Sequence, residues 1–149
     1  MTQTESQRDL AVEYFNAVWA LIDDPARSAE QERQMLVLAC ASRQLWGEIG
    51  GPTEVVTGDW QIAHVAALTG HDDLSLDFAN AAYELAIESD VPLWLVASTC
   101  EGLARAHAAA GHQAERDAWI AKAREQLVKV DDKEDRDLIE SQIASIPSA

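Results

Sequence analysis

The 149-residue sequence predicts an all-α fold, about seven helices in antiparallel hairpins stacked as a short α-solenoid, on three observations. Pro25, Pro52, Pro92 and Pro147 all fall between apolar-periodic stretches and none falls within one. An interior proline costs a helix about 3 kcal/mol, so this distribution is what a chain of helices requires. The stretches between are rich in Ala, Leu, Glu, Gln and Arg, and few alternate apolar and polar residues as a strand would. Sliding the chain against itself also shows an internal repeat at a shift of 41 residues, which sets Gly70-His71 on Gly111-His112. The length suits one domain over residues 1–149, large enough to fold without a disulfide or a metal.

The elements follow in order. A first helix over residues 5–23 puts Leu10, Tyr14, Phe15, Val18, Trp19 and Ile22 on one broad face, and Asp23-Asp24-Pro25 stops it. Ser28 with Gln31 forms a capping box for a second helix that carries Met35, Leu36, Leu38, Ala39 and Trp46 up to Ile49. Gly50-Gly51-Pro52 makes a turn. The third helix begins between Thr53 and Asp59, Gly58 leaving its start open, and ends at Gly70. The fourth spans 72–88 with Leu74, Phe78, Ala81, Ala82 and Leu85 at helical spacing. A fifth follows Pro92 and runs to Ala110, with Gly111 as its C-terminal cap. The sixth reaches Val128 and turns Ala118, Trp119, Ala123 and Leu127 inward. Asp131 with Glu134 opens a short seventh helix, within residues 131–146, that buries Leu138, Ile139 and Ile143 and caps the stack.

The repeat pairs Ile62 with Leu103, Ala63 with Ala104, Ala67 with Ala108, Phe78 with Trp119 and Ala82 with Ala123. Small residues let two helices approach, and large ones fill the gap beside them. The two units, 53–91 and 92–129, are each a helix–turn–helix that needs a neighbour to bury its apolar face. Glycine at the hairpin turn, alanine seven residues before it and alanine twelve after it resemble the framework of tetratricopeptide repeats. The run from Gly58 to Gly70 is also similar to small, uncharacterised bacterial proteins of that repeat-like type. The departures are a repeat of 41 residues instead of about 34, and Ser75 and Arg116 where alanine is typical. The resemblance implies a scaffold whose odd helices line a concave groove; it implies no particular activity.

Motifs for chemistry are few. The chain has no glycine-rich phosphate loop, no Gly-x-Ser-x-Gly and no His-Glu-x-x-His. Asp131 to Glu140 lacks the glycine and ligand order of a calcium loop and reads as a solvated helix start. His71 and His112 come to one edge of the stack beside Asp72 and Asp73, without the tight spacing of a zinc site. His107 and Cys100, seven apart, share a helical face and read as packing; Cys40 and Cys100 read as small buried thiols in a reducing cytoplasm. No cofactor, metal or catalytic residue is assigned. The resemblance places groove-facing positions ten and six residues before each turn glycine, which are Trp60 and His64 in one repeat and Glu101 and Arg105 in the next. These four combine an aromatic plane, an imidazole, a carboxylate and a guanidinium, a mixture suited to a peptide or a small polar ligand. Tyr14 and Trp19 extend the same groove if the first hairpin shares its register. A plainer reading makes Glu101 and Arg105 an ordinary helical ion pair and Trp60 core.

Charge narrows the partner. The sequence holds 26 acidic against 11 basic residues, a net −15. From Gln44 to Ala104 there are ten acids and no lysine or arginine. Such a surface excludes direct nucleic-acid binding and attachment to anionic lipid, and no apolar run is long enough to span a membrane. It suits either simple solubility or a protein partner with a basic segment. The expected function is therefore a non-enzymatic, cytoplasmic scaffold that binds a protein or peptide in its concave groove. The alternative is a small-molecule or metal-binding enzyme with an inter-helix pocket, using Glu101 or His64 as acid–base and Arg105 as anion clamp. A third reading is an assembly module that pairs with a second copy of the chain along an exposed apolar edge.

Overall fold

Capping chemistry sets where the helices begin in the computed structural model, which describes residues 2–149. α1 (Gln3–Ile22) starts on Thr2, whose hydroxyl accepts from the Glu5 amide at 3.1 Å while the Glu5 carboxylate accepts from the Thr2 amide at 2.8 Å. α2 (Ala29–Ile49) repeats that reciprocal box with Ser28 and Gln31. α3 (Pro52–Leu68) takes Pro52 as its first residue, and the Glu54 carboxylate accepts from the Gly51 amide at 3.0 Å. This start precedes the expected window of 53–59, because proline fits the first turn, where its missing N–H would have no partner. α4 (Asp72–Glu88), α5 (Leu93–Ala109) and α6 (Gln113–Leu127) follow. α7 (Lys133–Ala144) is capped by Asp132, not Asp131, through the Asp135 amide at 2.9 Å.

The two repeats share one turn. Gly70 and Gly111 adopt left-handed φ values of 81° and 82°. The next amide closes back on the helix in each, His71 N–H to the Ala66 carbonyl and His112 N–H to the His107 carbonyl, both at 2.9 Å. That pattern satisfies carbonyls the helix end leaves free and reverses the chain within three residues. α3–α4 and α5–α6 are consequently equivalent antiparallel hairpins offset by 41 residues.

Each helix packs on its sequence neighbour, α3 packs on α5, and α7 packs on both α5 and α6. Of the paired repeat positions, Ile62, Leu103, Ala63, Ala104, Ala82, Ala123 and Ala108 are buried, and Ala67 is half-buried. Phe78 and Trp119 are half-buried and seal the same cluster of Ala63, Ala79, Leu103 and Ala106. Close approach also requires glycine within α3. Gly58 sits inside α3, and a Cβ there would lie 2.9 Å from Cδ of Arg43 on α2. Hydroxyls stitch other seams: Ser42 Oγ donates to the Ala11 carbonyl and Ser75 Oγ to the Ala63 carbonyl, both at 2.8 Å.

Four further expectations change. Ala118 is exposed, because α6 turns Trp119, Ala123 and Leu127 to the core instead. Leu138 is 59% exposed, because α7 presents Ile139 and Ile143 to the core and turns Leu138 away. Leu10 is likewise exposed, at 39%. Cys40 lies at the surface, and only Cys100 is buried. The departures at Ser75 and Arg116 also acquire causes: Ser75 makes the bond just described, and Arg116 donates to the carbonyls of Ile146 and Pro147, holding the C-terminal segment.

The turn glycines face open space, so an alanine there is resisted by its backbone conformation alone. Gly70→Ala and Gly111→Ala are each expected to lose about 1 kcal/mol in urea denaturation, and asparagine less. Alanine variants as stable as the parent would show that the left-handed turns do not hold the hairpins.

Candidate functional site

Residues three and four apart stack on one helix face, and such stripes on α1, α3, α5 and α7 enclose a cleft of about 760 Å³. α1 contributes Phe15, Trp19 and Ile22; α3 contributes Thr57, Trp60 and His64; α5 contributes Trp94, Leu95 and Ser98. α7 closes the fourth side with Asp135, Leu138, Ile139 and Gln142 among its residues, and Asp23 stands at the end of α1. All lining residues lie on odd-numbered helices or at the C-caps of α1 and α7, Asp23 and Ser145, so α2, α4 and α6 form the opposite layer.

The four predicted groove residues come together in one connected network, but only two of them face the cleft. Trp60 and His64 belong to its wall, each 6% exposed. Glu101 is wholly buried behind that wall and Arg105 nearly so. Glu101 Oε1 accepts from Arg105 Nε at 2.9 Å, and its Oε2 accepts from the indole Nε1–H of Trp60 at 3.1 Å. Arg105 Nη2 also lies 2.9 Å from Glu101 Oε1 and donates to the Gln142 carbonyl at 3.0 Å and to Ser145 Oγ at 2.8 Å. The guanidinium thus fastens the C-terminal turn of α7, where helix carbonyls lack partners and a cation is favoured. It is this docking of α7 that moves Glu101 and Arg105 out of the groove and into the interior. Trp60 reaches Glu101 because residue 102 is glycine; a Cβ there would lie 2.8 Å from Trp60 Cδ1.

Trp19, Trp60 and His64 form an aromatic triangle with ring centroids 5.4 to 5.7 Å apart, and Phe15 adds an edge-on contact to Trp19 at 6.3 Å. Burial, reinforced by the positive charge of Arg105, pushes the His64 imidazole down to about 3 from its usual 6.5. The ring is therefore neutral, and its Nδ1 is buried without a hydrogen-bond partner. Trp19 was within reach of sequence reasoning and Tyr14 is not in the wall. Trp94, Ser98 and Leu138 were missed. The signal was present for α5, since Trp94, Ser98, Glu101 and Arg105 form one helical stripe.

Other candidates separate. His71 and His112 are exposed at their turns, and His112 Nδ1 approaches Nδ1 of His107 at 3.1 Å. Among the described residues no group of three or more His, Cys, Asp or Glu side chains converges to hold a metal, and no helix is long and apolar enough to cross a membrane. Burial pushes the Cys100 thiol up to about 11, far from a reactive thiolate. No family model, curated protein or solved structure matches the chain. The cleft's own geometry carries the functional argument.

Removing one member of a buried ion pair strands the other charge. Glu101→Leu is expected to lose about 3–5 kcal/mol in urea denaturation, and Glu101→Leu/Arg105→Met to recover much of that. A double variant no more stable than the single would show that the pair is not a unit. The imidazole makes a second prediction. Its folded value lies below the unfolded one, so the unfolded chain binds the extra proton below pH 6.5, and stability falls as pH drops from there towards 3. Subtracting a His64→Leu variant should isolate a slope approaching about 1.4 kcal/mol per pH unit over that range. Parallel profiles for the two proteins would mean that His64 is charged in the folded state.

Proposed function

We propose that this chain is a non-enzymatic, tetratricopeptide-like scaffold that binds a protein or peptide with a basic segment in its concave groove. The observation that carries the reading is the cleft itself: an aromatic wall contributed by three helices, closed at one end by α7 and rimmed by Asp23 and Asp135. Its volume is that of a site for one or two large side chains or a small molecule. Trp19, His64, Trp94 and Leu138 are the contacts, and Glu101 and Arg105 position Trp60 from behind. The resemblance of residues 53–129 to tetratricopeptide repeats supports a binding scaffold, and free Cys40 and Cys100 suit a cytoplasmic protein. The enzyme alternative loses its anion clamp, because Arg105 is engaged by Glu101, Gln142 and Ser145.

The electrostatic part of the reading makes affinity salt-dependent. Titrating isotope-labelled protein with unstructured basic, neutral and acidic peptides should perturb amide signals of Trp19, His64, Trp94 and Leu138 with the basic peptides first. Added salt should weaken that binding. Perturbation confined to α2, α4 or α6, or indifferent to peptide charge, would overturn the groove assignment.

A further inference from the structure

The groove has a chemical preference that its shape alone does not state. Its charged rim is purely acidic: Asp23 at the end of α1 and Asp135 in the first turn of α7, with no lysine or arginine among the described lining residues. Arg105 is committed to Glu101 and α7, and Arg27, which follows α1, donates to the carbonyls of Ile22 and Asp24. The same cleft is lined by Trp19 and Trp94, both half-buried, and by Trp60, 6% exposed. In the same wall stands His64, 6% exposed and neutral, with its unpartnered Nδ1 buried.

Each feature removes a class of occupant. An anion would meet two carboxylates. A purely apolar side chain would leave both carboxylates without a partner. An ammonium is a compact, strongly hydrated charge with no face to lay on an indole. A guanidinium is flat, weakly hydrated and cationic, stacks on tryptophan, and directs five N–H donors outward in its plane. Those donors suit two carboxylates at once.

We propose that the cleft anchors a guanidinium group, supplied by an arginine side chain in the basic segment of the partner. This rests on the peptide-binding reading above and sharpens it to one residue type. The indoles of Trp19 and Trp94, both half-buried, take the guanidinium plane, and Asp23 and Asp135 take the outward-facing donors. The net charge of −15 draws such a segment in from a distance.

The test uses blocked short peptides that differ only in a central arginine, lysine, citrulline or norleucine, with N-acetyl-arginine amide as a free guanidinium. Binding is followed by tryptophan fluorescence and calorimetry on the full chain. Arginine should bind at least about tenfold tighter than citrulline, which keeps the shape and loses the charge, and tighter than lysine. Asp23→Asn and Asp135→Asn should each weaken the arginine peptide about threefold or more while leaving the urea midpoint unchanged. Citrulline or norleucine bound as tightly as arginine, or arginine affinity indifferent to both aspartate variants, would overturn the guanidinium assignment and leave groove-bound peptide standing. N-acetyl-arginine amide bound as tightly as the peptide would keep the guanidinium site and overturn the peptide reading. No binding by any of them overturns both.

Discussion

The groove depends on the buried ion pair between Glu101 and Arg105. Taking both charges out of water costs several kcal/mol per ion, and such a pair is tolerated only when its remaining hydrogen-bonding capacity is met. Here it is met from three helices. Both Glu101 oxygens accept, one from Arg105 and one from the Trp60 indole, and Arg105 continues to the Gln142 carbonyl and Ser145 hydroxyl. α3, α5 and α7 are therefore fixed relative to one another by a single polar knot. The orientation it gives Trp60 sets the triangle with Trp19 and His64. The groove wall is in this sense a consequence of what lies behind it.

A second pair completes the charge distribution. Arg43 Nε donates to Asp59 Oδ1 at 2.7 Å across the α2–α3 seam, beside the close contact that Gly58 allows. Burial pushes the Asp59 carboxyl up, and the Arg43 hydrogen bond and charge oppose that shift. Arg43 and Arg105 are the two basic residues that bracket the stretch 44–104, and each neutralises a buried acid inside it. The other eight acids of that stretch form no ion pair among the described residues. Five of them, Asp72, Asp73, Asp77, Glu84 and Glu88, ride on α4, in the layer away from the groove. The bulk of the net charge thus acts at long range, and contact in the groove falls to Asp23 and Asp135.

Sequence reasoning succeeds here where the controlling interaction is local and fails where it is not. Caps at Ser28, the stops at Gly70 and Gly111 and the spacing of Ala63, Ala82, Ala104 and Ala123 are written within a few residues of where they act, and the helices follow. The 41-residue repeat also brought Trp60, His64, Glu101 and Arg105 to one place. Which way each faces was beyond it, because that depends on where α7 docks, and α7 bonds to Arg105 from 37 residues further along the chain. The same cause exposes Leu138: a helix with apolar residues at 138, 139 and 143 has two faces to choose from, and only the tertiary contact with Cys100 and Ala123 selects one. Gly58 resisted interpretation for the reverse reason. A glycine in mid-helix reads as a boundary until the side chain of Arg43 is seen to need the space.

One of the fold's unsatisfied buried atoms belongs to the groove wall. His64 is held neutral with Nδ1 unpaired, and on the adjoining α1–α3 seam Gln61 donates to the Phe15 carbonyl while its Oε1 is buried without a partner. An apolar side chain at either position would relieve an unsatisfied polar group worth about 1–3 kcal/mol. Elsewhere the chain satisfies buried polar groups with care, as Ser42, Ser75 and the Glu101–Arg105 knot show. Arg27 Nε, buried without a partner beyond the end of α1, is the exception, and of the three such atoms among the described residues only His64 Nδ1 belongs to a residue of the cleft wall. The knot behind Trp60 makes that wall rigid before anything binds, so a partner would meet aromatic faces already ordered and spend less of its binding energy on arranging them.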